Sequence, residues 1–213
     1  MYNDVEEEED EPAKNDDDIK LILLGSSGAG KTSIINKVTR GVFNENEASS
    51  TTAAFSIKNI KVCGIKYTLN LWDTLGQERF RQLTKLFYSN SKIIIFVYDI
   101  TSKESFDDLS YWLKDIEEHT SQVTIKAVIA NKMDLSSEKQ VSIEEGENFA
   151  KSINAKFLEF SAKTESNSKF DLLLIELMSE YLLNKKRKKP NGKIKVTRES
   201  FLEKKKKNSC CEM

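Results

Sequence analysis

The segment that most constrains this chain is a glycine-rich run at residues 25–32, between a short apolar run and an amphipathic stretch. It reads Gly-Ser-Ser-Gly-Ala-Gly-Lys-Thr and fits the pattern GxxxxGK[ST]. Glycines at this spacing let backbone N–H groups converge on phosphate oxygens, and a following helix adds its positive N-terminal end. The run therefore predicts a strand–loop–helix unit that binds a nucleoside triphosphate, with the base left open.

Individual positions of this loop have predicted roles. Lys31 can reach the outer phosphates, and Thr32 can offer its hydroxyl to Mg²⁺. A side chain at Gly28 or Gly30 would intrude on the phosphates. The predicted nucleotide-binding set of the loop is Ser27, Gly28, Ala29, Gly30, Lys31, Thr32 and Ser33.

Short apolar runs alternate with amphipathic stretches over residues 19–183, which is typical of a mainly parallel α/β sheet. The second and third predicted strands are expected to pair as a hairpin. Thr101 with Glu104, and Ser142 with Glu145, have capping-box spacing and predict two helix starts. The predicted strands are Ile19–Leu24, Phe55–Val62, Lys66–Trp72, Ile93–Tyr98, Ile125–Ala130 and Lys156–Phe160.

Composition excludes several classes of protein. The 213 residues fit one domain with tails, and no apolar run approaches the ~18 residues that suggest a membrane span. The acidic start lacks the apolar core of a secretory signal. Three cysteines cannot build a disulfide framework, and a single histidine argues against histidine triads and multi-histidine metal sites. The expected compartment is the cytosol.

The net charge of −1 conceals two oppositely charged ends. Residues 1–18 carry ten acids and one lysine, whereas residues 184–213 carry twelve Lys or Arg against three Glu. Like-charge blocks repel themselves and have little apolar surface to bury. We therefore expect an acidic disordered extension at 1–18, a folded domain at 19–183 and a basic flexible tail at 184–213.

Two polar segments follow predicted strands, at the sheet edge where α/β proteins bind ligands. The carboxylate of Asp134 can accept bonds from both N1–H and the 2-amino group of guanine, a donor pair that adenine lacks. The aliphatic stem of Lys132 can lie on the base, and residues 161–163 can direct backbone N–H groups at the guanine oxygen. The predicted base-binding set is Asn131, Lys132, Asp134, Ser161, Ala162 and Lys163.

A third polar segment, residues 73–78, ends the second hairpin strand. Asp73 can hold the water shell of Mg²⁺, which keeps several waters and few protein ligands. Gly76 offers an unobstructed N–H to a terminal phosphate. Gln77 can orient an attacking water and is the predicted catalytic residue.

Together these motifs resemble those of the Ras superfamily of small GTPases, and within it the Rab branch. Residues 79–84, 97–101 and 105–106 are similar to Rab segments, and the ending Cys-Cys-Glu-Met at 210–213 resembles a geranylgeranylation site. The resemblance covers 19–183 and implies a small G-domain: a P-loop NTPase fold with a six-stranded, mostly parallel sheet flanked by five helices. It also implies a slow, activator-dependent hydrolysis of GTP to GDP with Mg²⁺, in vesicle trafficking.

The resemblance assigns further residues. Phe43 is expected to pack against the guanine edge, and Ser50 stands where the family has the threonine that completes Mg²⁺ binding; Thr51 is the alternative ligand. Thr52 stands where Rabs usually have glycine, and Leu75 replaces an alanine beside Gly76. A GTP-binding interaction module with impaired hydrolysis therefore stays open as an alternative.

The resemblance also implies the protein's partners. They are an exchange factor, a GTPase-activating protein, effectors, a prenylation escort and a GDP-dissociation inhibitor, with no nucleic acid and no second copy of the chain. Lipids on Cys210 and Cys211, supported by Lys204–Lys207, would hold the protein on the cytosolic face of an endomembrane, because one lipid chain binds only marginally. A P-loop kinase that uses ATP is a further class, against which the guanine-binding set argues.

Overall fold

The computed structural model describes residues 19–45, 54–74, 90–119 and 124–188. In this part of the chain six strands form one sheet in the order β2-β3-β1-β4-β5-β6. β2 runs antiparallel to β3, and the other neighbouring strands run parallel. The strands are β1 (Ile19–Leu24), β2 (Ala54–Val62), β3 (Ile65–Asp73), β4 (Ile93–Asp99), β5 (Ile125–Asn131) and β6 (Lys156–Glu159).

The same part of the chain holds four α-helices and one 3₁₀ helix. The predicted six-stranded, mostly parallel sheet flanked by helices is therefore confirmed. None of the helices in the described ranges is long and apolar enough to cross a membrane. The helices are α1 (Lys31–Arg40), α2 (Lys103–His119), the 3₁₀ helix (Met133–Glu138), α3 (Ile143–Ser152) and α4 (Asn167–Lys188).

The central strands are mostly apolar because they are covered on both faces. All seven residues of β4 are buried. The aromatic rings of Phe96, Tyr98 and Trp112 fill the core between β4 and α2. The β2–β3 hairpin turns at Cys63 and Gly64, whose φ angles of 50° and 80° are those of a tight type I′ turn. This packing fixes the strand ends at which the polar segments begin.

The two predicted capping boxes have different outcomes. At α3 the hydroxyl of Ser142 accepts the N–H of Glu145, and the Glu145 carboxylate accepts the N–H of Ser142 at 2.8 Å, so this box is confirmed. The box at Thr101 is wrong, because the hydroxyl of Ser102 accepts the N–H of Ser105 at 3.2 Å instead. Thr101 is held by a carboxylate at the end of β4, which displaces the helix start by one residue.

Candidate nucleotide-binding site

A cavity of about 400 Å³ lies where β1, β3, β5 and β6 end. Because the carboxyl ends of parallel strands meet at one sheet edge, segments far apart in sequence converge there. The cavity is lined by these predicted nucleotide-binding residues: Ser27, Gly28, Gly30, Lys31, Thr32, Ser33, Phe43, Asn131, Lys132, Asp134, Ala162 and Lys163.

The remaining predicted residues fall into two groups. Ala29, Asp73 and Ser161 are buried, and each one bonds to a residue in the cavity wall. The others lie outside the residues that the structure describes, so their roles stay predictions. They are Ser50, Gly76, Gln77, Cys210 and Cys211, together with the variant positions Thr51, Thr52 and Leu75.

Two glycines of the phosphate loop are required by space as well as by backbone conformation. Gly25 has φ +150°, and a Cβ there would lie 2.0 Å from the carbonyl oxygen of Val97 in β4. Gly30 has φ +92°, and its Cβ would lie 2.3 Å from Nδ2 of Asn131. Both positions favour glycine on conformational grounds alone. The loop is therefore packed against β4 and against the last residue of β5.

The ammonium of Lys31 lies against the phosphate loop itself. Its Nζ donates to the carbonyl oxygens of Gly25 at 2.8 Å and Ser26 at 3.0 Å, and only 5% of the residue is exposed. Burial lowers the pKa of Lys31 to about 8, and the negative charge of Asp73 partly opposes that shift. A poorly solvated cation at this point favours a phosphate as its partner.

Ser26 ties the loop to α2. Its hydroxyl donates to Oδ2 of Asp108 at 2.6 Å, and its carbonyl oxygen accepts from Ala29 N–H at 3.3 Å as well as from Lys31. The motif did not predict Asp108, which is distant in sequence. This one residue therefore holds both the shape of the loop and its attachment to the neighbouring helix.

Thr32 and Asp73 fit the expected Mg²⁺ site. The Thr32 hydroxyl donates to Oδ2 of Asp73 at 2.7 Å, and Asp73 is buried at the end of β3. Mg²⁺ prefers hard oxygen ligands and keeps several of its waters, so the Thr32 hydroxyl could ligate it directly while the adjacent Asp73 carboxylate holds its water shell. The two oxygens therefore have the chemistry that the predicted Mg²⁺ site requires.

Asn131 joins the base end of the cavity to the phosphate loop. Its Nδ2 donates to the carbonyl oxygen of Ala29 at 2.8 Å, and its Oδ1 accepts the N–H of Ala162 at 3.3 Å. Only 1% of Asn131 is exposed. Because a buried amide must satisfy both its donor and its acceptor, this side chain fixes three segments relative to one another.

Ser161 orients the carboxylate predicted to recognise the base. Its hydroxyl donates to Oδ1 of Asp134 at 2.5 Å and accepts the N–H groups of Lys163 and Thr164 at 3.2 and 3.1 Å. Asp134 is exposed and lines the cavity. The arrangement presents an oriented acceptor to a ligand with paired N–H donors.

Asp99 orients Lys132 in the same way, although no sequence motif predicts a role for Asp99. Oδ2 of Asp99 lies 2.6 Å from Nζ of Lys132, whose backbone has φ 65°. Oδ1 of Asp99 accepts both the N–H and the hydroxyl of Thr101 at 2.8 Å. Since Asp99 is itself nearly buried, it holds the Lys132 side chain along the cavity wall.

Four further residues line the cavity without having been predicted. Leu135, Asn44 and Thr74 each directly follow a predicted residue in the chain, and this adjacency is their only sequence signal. Asn44 and Glu45 belong to the segment after α1, and Thr74 follows β3 with its hydroxyl bonded to the carbonyl oxygen of Leu23. Their place in the site comes from tertiary packing.

This mixed sheet, with a phosphate loop after its first strand, is the small G-domain form of the P-loop NTPase fold. The family model described as "Ras family" matches residues 20–180. Among curated relatives, Ras-related protein Rab-8B of Homo sapiens is 39% identical over 185 residues, which are 84% of this chain and 88% of the relative. Ras-related protein Rab-8 of Diplobatis ommata is 40% identical over 169 residues, 78% of this chain and 80% of the relative.

A third relative, Ras-related protein Rab-8A of Bos taurus, is 41% identical over 148 residues, 70% of this chain and 72% of the relative. Family model and relatives thus agree over most of the chain. The chain belongs to the Ras family, as a Rab-type small GTPase.

Proposed function

We propose that this protein is a switch that binds GTP and GDP with Mg²⁺, hydrolyses GTP, and regulates vesicle trafficking from a membrane surface. The observation that carries the proposal is one cavity with two sets of groups. Lys31 and the glycine-rich loop form one part of its lining, and Asp134 and Lys132 form another. A guanine nucleotide has phosphates for the first set and paired N–H donors for the second.

The base end favours guanine over adenine. The Asp134 carboxylate, held by Ser161 at 2.5 Å, is an acceptor that suits N1–H and the 2-amino group together. Adenine offers N1 as an acceptor, so a carboxylate would face it without a shared proton. A carboxylate at this position therefore disfavours an ATP-dependent kinase built on the same phosphate loop.

Hydrolysis would proceed by in-line attack of water on the γ-phosphate. Lys31 and the N–H groups of the loop would stabilise the charge that develops on the phosphoryl oxygens, and Gln77 would orient the water. Thr32 and Asp73, with Ser50, would hold Mg²⁺, which neutralises phosphate charge when it is bound. Without an arginine supplied by an activating protein, turnover in such folds is on the order of 10⁻⁴ s⁻¹.

The output of the switch would be conformational. The N–H groups near Ser50 and Gly76 would contact the γ-phosphate and hold their segments in one arrangement until hydrolysis releases them. Effectors would bind the GTP form, while an exchange factor and a GTPase-activating protein would set the ratio of the two forms.

A second candidate is an interaction module with little hydrolysis, suggested by Leu75 beside Gly76 and by Thr52. Single-turnover measurements on the purified protein and on Leu75→Ala separate the two. The switch predicts measurable turnover in the unchanged protein. Turnover that is absent there and restored in Leu75→Ala would establish the second candidate.

Membrane attachment is proposed for the C-terminal tail. Lipids on Cys210 and Cys211 would supply two anchors, and Lys204–Lys207 would add roughly 1 kcal/mol per charge near an anionic leaflet. An escort protein and a GDP-dissociation inhibitor would handle the lipidated form. The double change Cys210→Ser with Cys211→Ser should leave the protein in the soluble fraction of its cells, and unchanged membrane binding would contradict the proposal.

Calorimetric titration of the full chain with GDP and with ADP, with and without Mg²⁺, tests the function directly. We expect tight binding of GDP that Mg²⁺ strengthens, and binding of ADP that is at least about 100-fold weaker, since two charge-assisted hydrogen bonds are lost. Equal affinity for the two nucleotides would overturn the proposal.

A further inference from the structure

An ion pair crosses from one wall of the cavity to another. Glu45 lies in the segment that follows α1, and Lys163 lies in the loop that follows β6, 118 residues later. Oε1 of Glu45 accepts a hydrogen bond from Nζ of Lys163, and both residues line the cavity together with Phe43 and Asp134. We call this contact the rim ion pair.

The rim ion pair differs from the simple surface pairs of this protein. Lys151 and Glu147, for example, are i,i+4 neighbours on α3, where a pair adds only to local helix stability. The rim ion pair joins two loops that contact the same cavity, so it restrains the distance between them. Loss of the rim ion pair would remove this restraint.

The charges around Lys163 support this assignment. The hydrogen bond that Lys163 donates to Glu45 raises the pKa of Lys163, the negative charge of Glu45 adds to that effect, and Asp134 contributes further. Both partners are partly exposed, with 48% of the Lys163 side chain and 65% of the Glu45 side chain accessible. A pair at this exposure is weakened by salt and has a modest effect.

We propose that Glu45 is a positioning residue that, through Lys163, holds the segment after α1 against the base loop and slows the release of bound guanine nucleotide. This inference rests on the proposed function. The base is expected to lie between Phe43, on the Glu45 segment, and the loops that carry Lys132 and Lys163, so these walls must separate before it leaves. An ion pair between them adds to the barrier for release.

The test is the rate at which full-length protein, loaded with a fluorescent GDP analogue, releases it into excess GDP. At low ionic strength Glu45→Gln should release about two- to fivefold faster than the unchanged protein, and near 1 M salt the difference should disappear. Glu45→Lys should release faster still, because two ammonium groups repel. The double change Glu45→Lys with Lys163→Glu restores an ion pair and should release more slowly than Glu45→Lys alone.

The matched control is Glu147→Gln, which removes the same charge from a pair on α3 that does not line the cavity. Its release rate should equal that of the unchanged protein at every salt concentration. If Glu45→Gln behaves like this control, or if the charge-reversed pair releases no more slowly than Glu45→Lys, the positioning role of Glu45 is wrong. Unchanged protein that retains no GDP analogue would instead overturn the proposed function, and the inference with it.

Discussion

The two ends of the cavity are built by different means. The phosphate end is one continuous segment, residues 25–32, whose backbone groups and single lysine line the cavity. The base end is assembled from side chains of separate segments, with Ser161 bonded to Asp134 and Asp99 bonded to Lys132. Phosphates are common to all nucleotides, so a backbone cradle suffices for them. Telling one base from another requires oriented side chains.

Because the two ends of the cavity would bind different parts of the nucleotide, substitutions at each end should have different effects. Substitutions at the phosphate end should lower the affinities for GDP and ADP by the same factor. Substitutions at the base end should instead alter the ratio of the two affinities. Asn131 is the exception, because it bonds to both Ala29 in the loop and Ala162 at the base end.

The largest effect is expected for Asp134→Ala. The substitution removes the acceptor for two N–H donors of guanine, each worth about 1.5–3 kcal/mol when the acceptor is charged. GDP affinity measured by calorimetry should fall more than about 100-fold, while the weak affinity for ADP should hardly change. Glu138→Ala removes an exposed carboxylate from the same 3₁₀ helix and should change neither affinity. An equal decrease in the affinities for GDP and ADP would contradict the base-end role of Asp134.

Next in size is the pH dependence of GDP binding, which probes the phosphate end. Lys31 binds phosphate as the ammonium ion; its pKa in the pocket is about 8, and phosphate charge would raise that pKa in the complex. Binding therefore takes up a proton above pH 8, so affinity falls as pH rises. Between pH 7 and pH 9 we expect a decrease of roughly tenfold.

The control for this pH dependence is Lys31→Met, which has no ammonium to titrate. Its GDP affinity should be lower throughout and should lose most of the slope between pH 7 and pH 9. An equal slope in the two proteins would assign the pH dependence to another group.

Asp99→Asn is expected to have a smaller effect at the base end. Asparagine keeps an acceptor for Thr101 but loses the charge that holds Lys132 at 2.6 Å. Asp99 would act on the nucleotide only through the position of Lys132. We therefore expect a loss of about 1–1.5 kcal/mol in the free energy of GDP binding, which lowers GDP affinity roughly five- to tenfold. Thr101→Val tests the other contact of Asp99 and should leave GDP affinity closer to that of the unchanged protein.

The two ends also differ in how far sequence could predict them. The phosphate loop could be predicted because its residues are adjacent in sequence and its backbone conformation requires the glycines. The strands could be predicted because β4 and β5 are rich in apolar residues and lie between polar segments. Asp134 and Ser161 could be placed because each follows a predicted strand.

What could not be predicted depends on contacts between distant residues. Nothing local to Asp99 indicates that it bonds to Lys132, and nothing local to Glu45 indicates Lys163. The error at Thr101 has a local origin instead, because the carboxylate of Asp99, two residues earlier, holds this residue outside the helix that its spacing predicted it would begin. Sequence patterns indicate which residues are close along the chain. The base end depends on residues that are distant in sequence and come together only in the folded structure.

The smallest expected effect, Ser26→Ala, returns to the phosphate end. The change removes the 2.6 Å hydrogen bond to Asp108 but leaves the carbonyl oxygen that accepts from Lys31. A single partly buried hydrogen bond is worth about 0.5–1.5 kcal/mol, so GDP affinity should fall roughly two- to tenfold, with its ratio to ADP affinity unchanged. Ser26→Thr keeps the hydroxyl and should restore binding. A change in the ratio would mean that the attachment of this loop to α2 also positions the base, and the separation of the two ends would then be wrong.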